Sequence, residues 1–393
     1  MRDIVNLWER AAAVTPAPRN GSILPARQRA DNSKGVPMTT ITPTFWAQGQ
    51  RPSSEIAAQL ATFISGTKKS LDIAIYDFDL KDADQKRVVD AIKAVAARGA
   101  RVRIAYDHTK QTDTAEGKGG TGNDPAPRGT QAFVQANFPE STRVHTQAIA
   151  GSHLMHSKYV VRDGVDIWMG SANFTEDAWF EQDNNVVEII DAKNLANHYE
   201  TDFAQLWATK DIKGTGKNDY GNVQVAGVEV EFAFSPGEGS AVASLFVDAI
   251  QGAKGQDVQV ATMVLSSGPI LGALVDHLRE GGTISGVYDE SQMRQVEKDW
   301  GAHPDTSKTK LDQWNAVKKF LVGKPSKSYS AGGRNFMHNK VLVTKNTVIT
   351  GSFNLSRNAE SNAENALAFH DVKLAGEYQK YVKALVVKYT KHQ

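Results

Sequence analysis

The 393-residue chain has 40% hydrophobic and 23% charged residues, an ordinary globular composition that excludes wholesale disorder. Its formal net charge of +1 excludes a strong overall field for polyanions, and the lack of cysteine excludes disulfides, thiolate nucleophiles and zinc-thiolate centres. A chain of this length exceeds the size at which one hydrophobic core usually stops growing, so two domains or one duplicated domain are expected.

Residues 1–42 read as a poorly ordered leader: a short amphipathic piece near Ile4 to Ala13, then Pro, Arg, Asn and Ser without periodicity. It lacks the basic start and apolar centre of a signal peptide, which points to a cytoplasmic protein. No run approaches the roughly 18–20 apolar residues that span a bilayer, so no transmembrane segment is expected.

From residue 56 to 107 the pattern predicts a helix, a strand over 71–76, a helix with apolar Val88, Val89, Ile92 and Val95 stopped by Gly99, and a strand over 102–106. The same order returns as a helix over 242–250, a strand over 258–265, a helix over 270–278 ended by Gly281 and Gly282, and a strand over 284–288. Each copy is a βαβ-like unit, and the register repeats: Asp107 and Asp289 lie 182 positions apart, as do His156 and His338. Helices alternating with nearly continuous apolar strands predict an α/β layered sandwich, with a first domain over 43–210, a linker over 211–221 and a second domain over 222–393. Two long irregular insertions are expected, at 108–130 and 291–334, as lids, recognition loops or surface decoration.

The chemistry concentrates in two motifs. His156-Ser157-Lys158 is followed by Asp163 and by Gly170-Ser171-Ala172-Asn173; His338-Asn339-Lys340 is followed by Gly351-Ser352-Phe353-Asn354. On a strand, residues two apart share a face, so each histidine travels with a cation. Lysine neutralises a phosphoryl oxygen, while the Asn amide and the hydroxyls of Ser171 and Ser352 can donate hydrogen bonds. Imidazole can act as nucleophile, acid or base near neutral pH, so two facing cradles could carry out a double displacement on a phosphodiester without metal or cofactor. Trp168 and Phe353 read as packing residues, His153 as a loop residue, and Tyr76 and Asp77 as candidate cleft lining.

The paired motifs resemble the signature of the phospholipase D superfamily, His-x-Lys, four residues, Asp, then Gly-Ser or Gly-Gly-x-Asn, and the resemblance runs from about Thr44 to the C-terminus. It implies a duplicated α-β-α sandwich whose pseudo-two-fold halves share one active site, and a phosphohistidine intermediate. The implied catalytic set is His156, Lys158, Asn173, His338, Lys340 and Asn354, with His156 as nucleophile, His338 as acid then base, and the reverse order as the alternative. Asp163 fills the aspartate place, which the family uses structurally; Lys345 stands there in the second copy, and the following turn is one residue shorter. The family also orients each histidine with a carboxylate beyond the Asn. Asp183 and Glu364 each lie 10 positions past Asn173 and Asn354 and take those places, with Glu181 and Glu188 as alternatives to Asp183.

The substrate expected is a phospholipid, with a nuclease acting on DNA or RNA as the alternative and a non-catalytic phosphate-binding scaffold as a third reading. No stable protein partner is implied, and a monomer is expected. Lys308, Lys310, Lys318, Lys319, Lys324, Lys327 and Arg334 form a basic collar that reads as the solvated side of an amphipathic helix or as a steering patch.

Overall fold

The computed structural model describes residues 39–108, 129–327 and 334–391. The first half supplies β1 (Thr40–Trp46), α1 (Ser53–Ser65), β2 (Ser70–Ile75), β3 (Phe78–Asp79), α2 (Asp82–Ala97), β4 (Arg101–Asp107), α3 (Thr130–Asn137), β5 (Val144–Ile149), β6 (Lys158–Arg162), β7 (Asp166–Gly170), β8 (Phe174–Thr175), β9 (Asn184–Ile190) and α4 (Lys193–Thr209). Its seven-stranded sheet has the order β1-β9-β7-β6-β2-β4-β5. The β2-α2-β4 crossover makes β2 and β4 parallel, while hairpin-type neighbours make β6, β7 and β9 antiparallel.

The second half repeats the plan with β10 (Tyr220–Val225), β11 (Val228–Ser235), α5 (Gly239–Gly252), β12 (Asp257–Thr262), α6 (Gly268–Arg279), β13 (Thr283–Asp289), α7 (Glu290–Ala302), α8 (Pro304–Val317), β14 (Val322–Lys324), β15 (Lys340–Val343), β16 (Val348–Gly351), β17 (Glu364–His370) and α9 (Val372–Thr390). Its order is β10-β11-β17-β16-β15-β12-β13-β14, the first sheet's sequence of strands with β10 added at one edge.

Side-chain alternation explains the layers. Along β6, Val160 faces outward with Trp168 and Val186 toward α1 and α2, whereas Tyr159 and Val161 face inward with Met169 and Val187. The inward residues of both sheets pack against α4 and α9, forming one central core; α5, α6, α7 and α8 cover the outer face of the second sheet. Both faces of each sheet are therefore buried, which is why the strands read as apolar runs.

Three expectations change. The 291–334 insertion is mostly regular: α7 is capped by Asp289, whose carboxylate accepts from the Gln292 N–H at 3.1 Å, and Met293, Val296 and Trp300 bury one face. Trp314 and Val317 do the same for α8. The strongly polar outer side of α7 hid its periodicity, while α8 carries the amphipathic face expected under the basic collar. Residues 211–221 are not a free tether, since Ile212 N–H donates to Ala150 O and Gly237 N–H to Thr215 O. Strand β1 begins at Thr40, inside the expected leader; residues 1–38, and 109–128 of the first insertion, lie outside the described residues.

Candidate active site

Each motif histidine stands just before a strand at the seam between the halves. Met155 bridges Ala363 and Asp183 bridges Met337, both parallel. His156 N–H donates to Ala363 O at 2.9 Å, and His338 N–H to Asp183 O at 3.0 Å. From within its own half, Asp107 accepts from Met155 N–H at 2.8 Å, and Asp289 from Met337 N–H at 2.8 Å. These aspartates end β4 and β13, so the histidines sit beyond strand ends, where α/β sheets usually gather ligands. Their shared separation of 182 is the sequence signal of this clamp.

The rings are also anchored across the seam. His156 Nδ1 lies 2.8 Å from Glu364 Oε2, and Glu364 Oε1 accepts from Asn362 Nδ2 at 3.1 Å. His338 Nδ1 lies 3.0 Å from Asn184 Oδ1. Asn184 also accepts from the Ser171 hydroxyl at 2.7 Å and donates through Nδ2 to Ala178 O at 2.9 Å, which fixes its amide. His338 Nδ1 must then be the donor, placing the neutral ring's lone pair on Nε2.

Asp183 therefore does not orient His338 through its carboxylate. Neighbouring strand residues point to opposite faces, and Asp183 turns away to accept from Tyr389 Oη at 2.8 Å and Gln48 N–H at 2.8 Å and to pair with buried Lys324 at 2.6 Å. Only its backbone oxygen touches His338. The cause is one extra residue. Residues Asp177–Glu181 form a π-turn closed by Gln182 N–H to Asp177 O, whereas the matching Asn358–Ser361 form a tighter 3₁₀ turn closed by Asn362 N–H to Ala359 O. Equal counting from the two Asn residues misses that insertion. Glu181 is exposed, and Glu188 lies farther along β9.

Lys158 and Lys340 are buried, and each Nζ donates to the carbonyl of its own histidine, at 2.6 and 2.7 Å. The Lys158 ammonium lies 4.9 Å from the Tyr76 ring, which meets His156 edge-on at 4.7 Å. Burial pushes the His338 imidazole well below its ordinary pKa, and the positive charges of Lys340, Lys158 and His156 push the same way. Charges from both motifs thus act on one ring. Asn173 and Asn354 each hold a buried Oδ1 without a protein partner among the described residues.

The remaining expected groups are structural. Ser171 and Ser352 turn their hydroxyls to the strand behind, where each accepts a backbone N–H at 3.0 Å, from Asn185 and Asn365. A Cβ on Gly170 or Gly351 would meet the same two residues' carbonyl oxygens at 2.3 and 2.2 Å, so only glycine allows this approach. Asp163 sits in the β6–β7 turn and accepts from the N–H groups of Lys68, Lys69 and Ser70. Burial works against its charge, but these bonds hold its pKa below the ordinary value. Lys345 lies in the shorter β15–β16 turn, closed by Thr344 N–H to Thr347 O. Trp168 and Phe353 are core residues.

The chain matches the family described as "Cardiolipin synthase, PLD-like domain" over residues 60–207 and 246–386, well over half its length and once in each half. It belongs to the phospholipase D superfamily. Among curated superfamily relatives, a probable phospholipase D of Caenorhabditis elegans is 24% identical over 163 residues, 40% of this chain and 27% of that protein. The mitochondrial cardiolipin hydrolase of Xenopus tropicalis is 24% identical over 181 residues, 45% of this chain and 75% of the relative. The chain thus spans about a quarter of the nematode protein's length. Among solved structures, the phosphatidylserine synthase of Haemophilus influenzae has the same duplicated fold, with a TM-score of 0.60 at 15% identity over 88% of this chain and 87% of that one. Among the described residues, no helix is long and apolar enough to cross a membrane.

Proposed function

We propose that this superfamily site is a phosphodiesterase that works through a phosphohistidine intermediate without a bound metal, and that its substrate is a phospholipid. The observation carrying the reading is the reciprocal anchoring of the two rings, His156 by Glu364 and His338 by Asn184, with the charges of both lysines acting on His338. One imidazole attacks phosphorus while the other protonates the departing oxygen. Lys158 and Lys340 supply the positive charge that a metal would otherwise bring to the phosphoryl oxygens, and the amides of Asn173 and Asn354 supply donors.

The state of the basic collar favours lipid over nucleic acid. Lys308 pairs with Asp312 at 2.9 Å, Lys318 with Glu297 at 2.6 Å and Lys324 with Asp183 at 2.6 Å, while Lys310 lies 5.7 Å from the Trp300 ring. Three of the seven collar cations are thus matched by carboxylates within the chain, and a cation so matched releases fewer counterions from a nucleic-acid backbone. The names of the lipid-acting relatives agree with this choice.

The test incubates EDTA-treated protein with vesicles of phosphatidylglycerol or cardiolipin, and separately with single- and double-stranded DNA. Release of phosphatidic acid from the lipid is expected. DNA cleavage without lipid hydrolysis would overturn the substrate, and turnover restored only by a divalent ion would overturn the metal-free mechanism.

A further inference from the structure

Duplication gives the two halves the same backbone beside the cleft, but one position there differs sharply in chemistry. In the first half Tyr76 N–H donates to Ser157 O at 3.0 Å, Phe78 pairs with Phe174, and Phe174 N–H donates to Asp77 O at 3.0 Å. In the second, Met263 N–H donates to Asn339 O at 3.1 Å and Leu265 bridges Leu355. Asn173 precedes Phe174 as Asn354 precedes Leu355, so Asp77 and Val264 hold equivalent places, each beside a motif asparagine. Phe78 and Phe174 turn into the outer core of their half, as Leu265 and Leu355 do in theirs. Side-chain alternation turns Asp77 and Val264 the other way. The carboxyl of Asp77 also feels the charge of Arg334 from the opposite half, which sets it at the seam, and the neighbouring Tyr76 ring meets His156.

The surroundings of Asp77 prepare it for a polar guest. Thr130 Oγ1 accepts from Phe78 N–H at 3.0 Å and donates to Asp77 Oδ1 at 2.8 Å. This fixes the carboxyl by one oxygen; Oδ2 has no hydrogen-bond partner among the described residues. Burial pushes the pKa up to about 7, with the charges of Asp177 and Asp79 acting the same way and the Thr130 bond and Arg334 acting against them. Near neutral pH the carboxyl can therefore donate as well as accept, as a hydroxyl does. A cationic guest is less well matched, since Arg334 already acts on Asp77 and Lys81 already pairs with Asp79. Val264, half-buried against the outer core, offers only apolar surface.

Resting on the phospholipid reading above, we propose that the cleft is sided: Asp77 is a specificity-determining residue that binds a hydroxyl of an uncharged polyol headgroup, and Val264 lines the side taken by the apolar arm. A phosphorus held between two pseudo-symmetric histidines has equivalent residues on its opposite sides, and a phospholipid carries one polar and one apolar ester. The unlike walls give that substrate one orientation. A carboxyl placed for a hydroxyl also rejects an analogue that lacks it, because the carboxyl then loses water without gaining a partner.

The test compares three lipids with the same acyl chains in detergent micelles: phosphatidylglycerol, phosphatidylpropanol, whose three-carbon headgroup has no hydroxyl, and phosphatidylcholine. Wild type should favour phosphatidylglycerol over phosphatidylpropanol in kcat/KM by about tenfold or more. Asp77→Val, which copies the second half, should abolish that preference, whereas Asp77→Asn, whose amide can still meet a hydroxyl, should keep most of it. Val264→Asp should slow both lipids alike. Each readout is a ratio within one protein, so a reduced folded fraction cancels. Equal rates on the two headgroups in wild type, a preference that survives Asp77→Val, one that responds to Val264→Asp instead, or phosphatidylcholine as the fastest substrate would each sink the inference. Lipid cleavage without headgroup preference removes only this sidedness; turnover of DNA or bis(p-nitrophenyl) phosphate with none of the lipids cleaved removes the lipid reading and the sidedness with it.

Discussion

The two halves share a strand order and a His-x-Lys lead-in, yet they solve one problem differently. In the second half a tight 3₁₀ turn brings Glu364 to the opposite histidine. In the first, a wider π-turn brings Asn184 to the other and frees Asp183 for Lys324, Tyr389 and Gln48. A single inserted residue changes which chemistry faces a ring because strand side chains alternate. Symmetry of backbone therefore coexists with asymmetry of charge. The helices lining the central core repeat the lesson: Tyr199 and Tyr378 donate to the matching Asn365 and Asn185, but three residues on, Asp202 in the first half stands where Tyr381 does in the second.

The largest expected effect breaks both halves alike. His156→Ala and His338→Ala should each lower turnover of an alkyl phosphodiester by roughly 10³-fold or more, since each removes a group the proposed reaction needs as acid, base or nucleophile. Circular dichroism should show an unchanged fold. A variant keeping a tenth of the rate would mean that the rings do not share one phosphorus.

Next comes the contrast between neighbours. Asp183→Ala leaves the buried Lys324 ammonium without its counter-charge and should cost about 3–5 kcal/mol in urea unfolding. Asn184→Ala should cost less stability but reduce turnover on the order of 10²-fold, since a mispositioned imidazole forfeits part of a 10²–10⁴ advantage. Equal stability losses with equal rates would show that the register assignment is mistaken.

The smallest effect concerns Asp202. Burial pushes its pKa up to about 8, against the hydrogen bond from Tyr159 and with help from Asp219. The folded protein thus keeps a proton that the unfolded chain releases near the ordinary 3.8. This contribution is complete below about pH 4 and is lost as pH rises toward 8. His338 acts in the other direction: its folded pKa is depressed, so its stability contribution is lost as pH falls from about 6.5. The comparison is therefore between wild type and Asp202→Asn at each pH. Their difference in urea midpoint should change between pH 5 and 8; a constant difference would remove Asp202 from the pH response.

Much of the site was legible in one dimension. His156, Lys158, His338, Lys340 and the paired Asn residues carry the repeat, and the 182-residue spacing of Asp107 and Asp289 marks the duplication, while their role in holding the Met155 and Met337 N–H groups is visible only in the fold. Asn184 was hidden because an amide carries no charge and because counting along the chain assumes equal turns. Helix α7 was hidden because few apolar residues interrupt its polar faces, whereas α8 carries the amphipathic face expected beneath the basic collar.

By itself the sequence determined the duplication, the layered α/β class and the paired His-x-Lys and Asn motifs, because residue type and strand periodicity are local properties. Only the tertiary structure decided which half orients which histidine, since Glu364 and Asn184 reach partners 208 and 154 positions away along the chain. Side-chain direction there depends on how many residues a turn consumes, and turn width is set by packing rather than by any pattern readable along the chain.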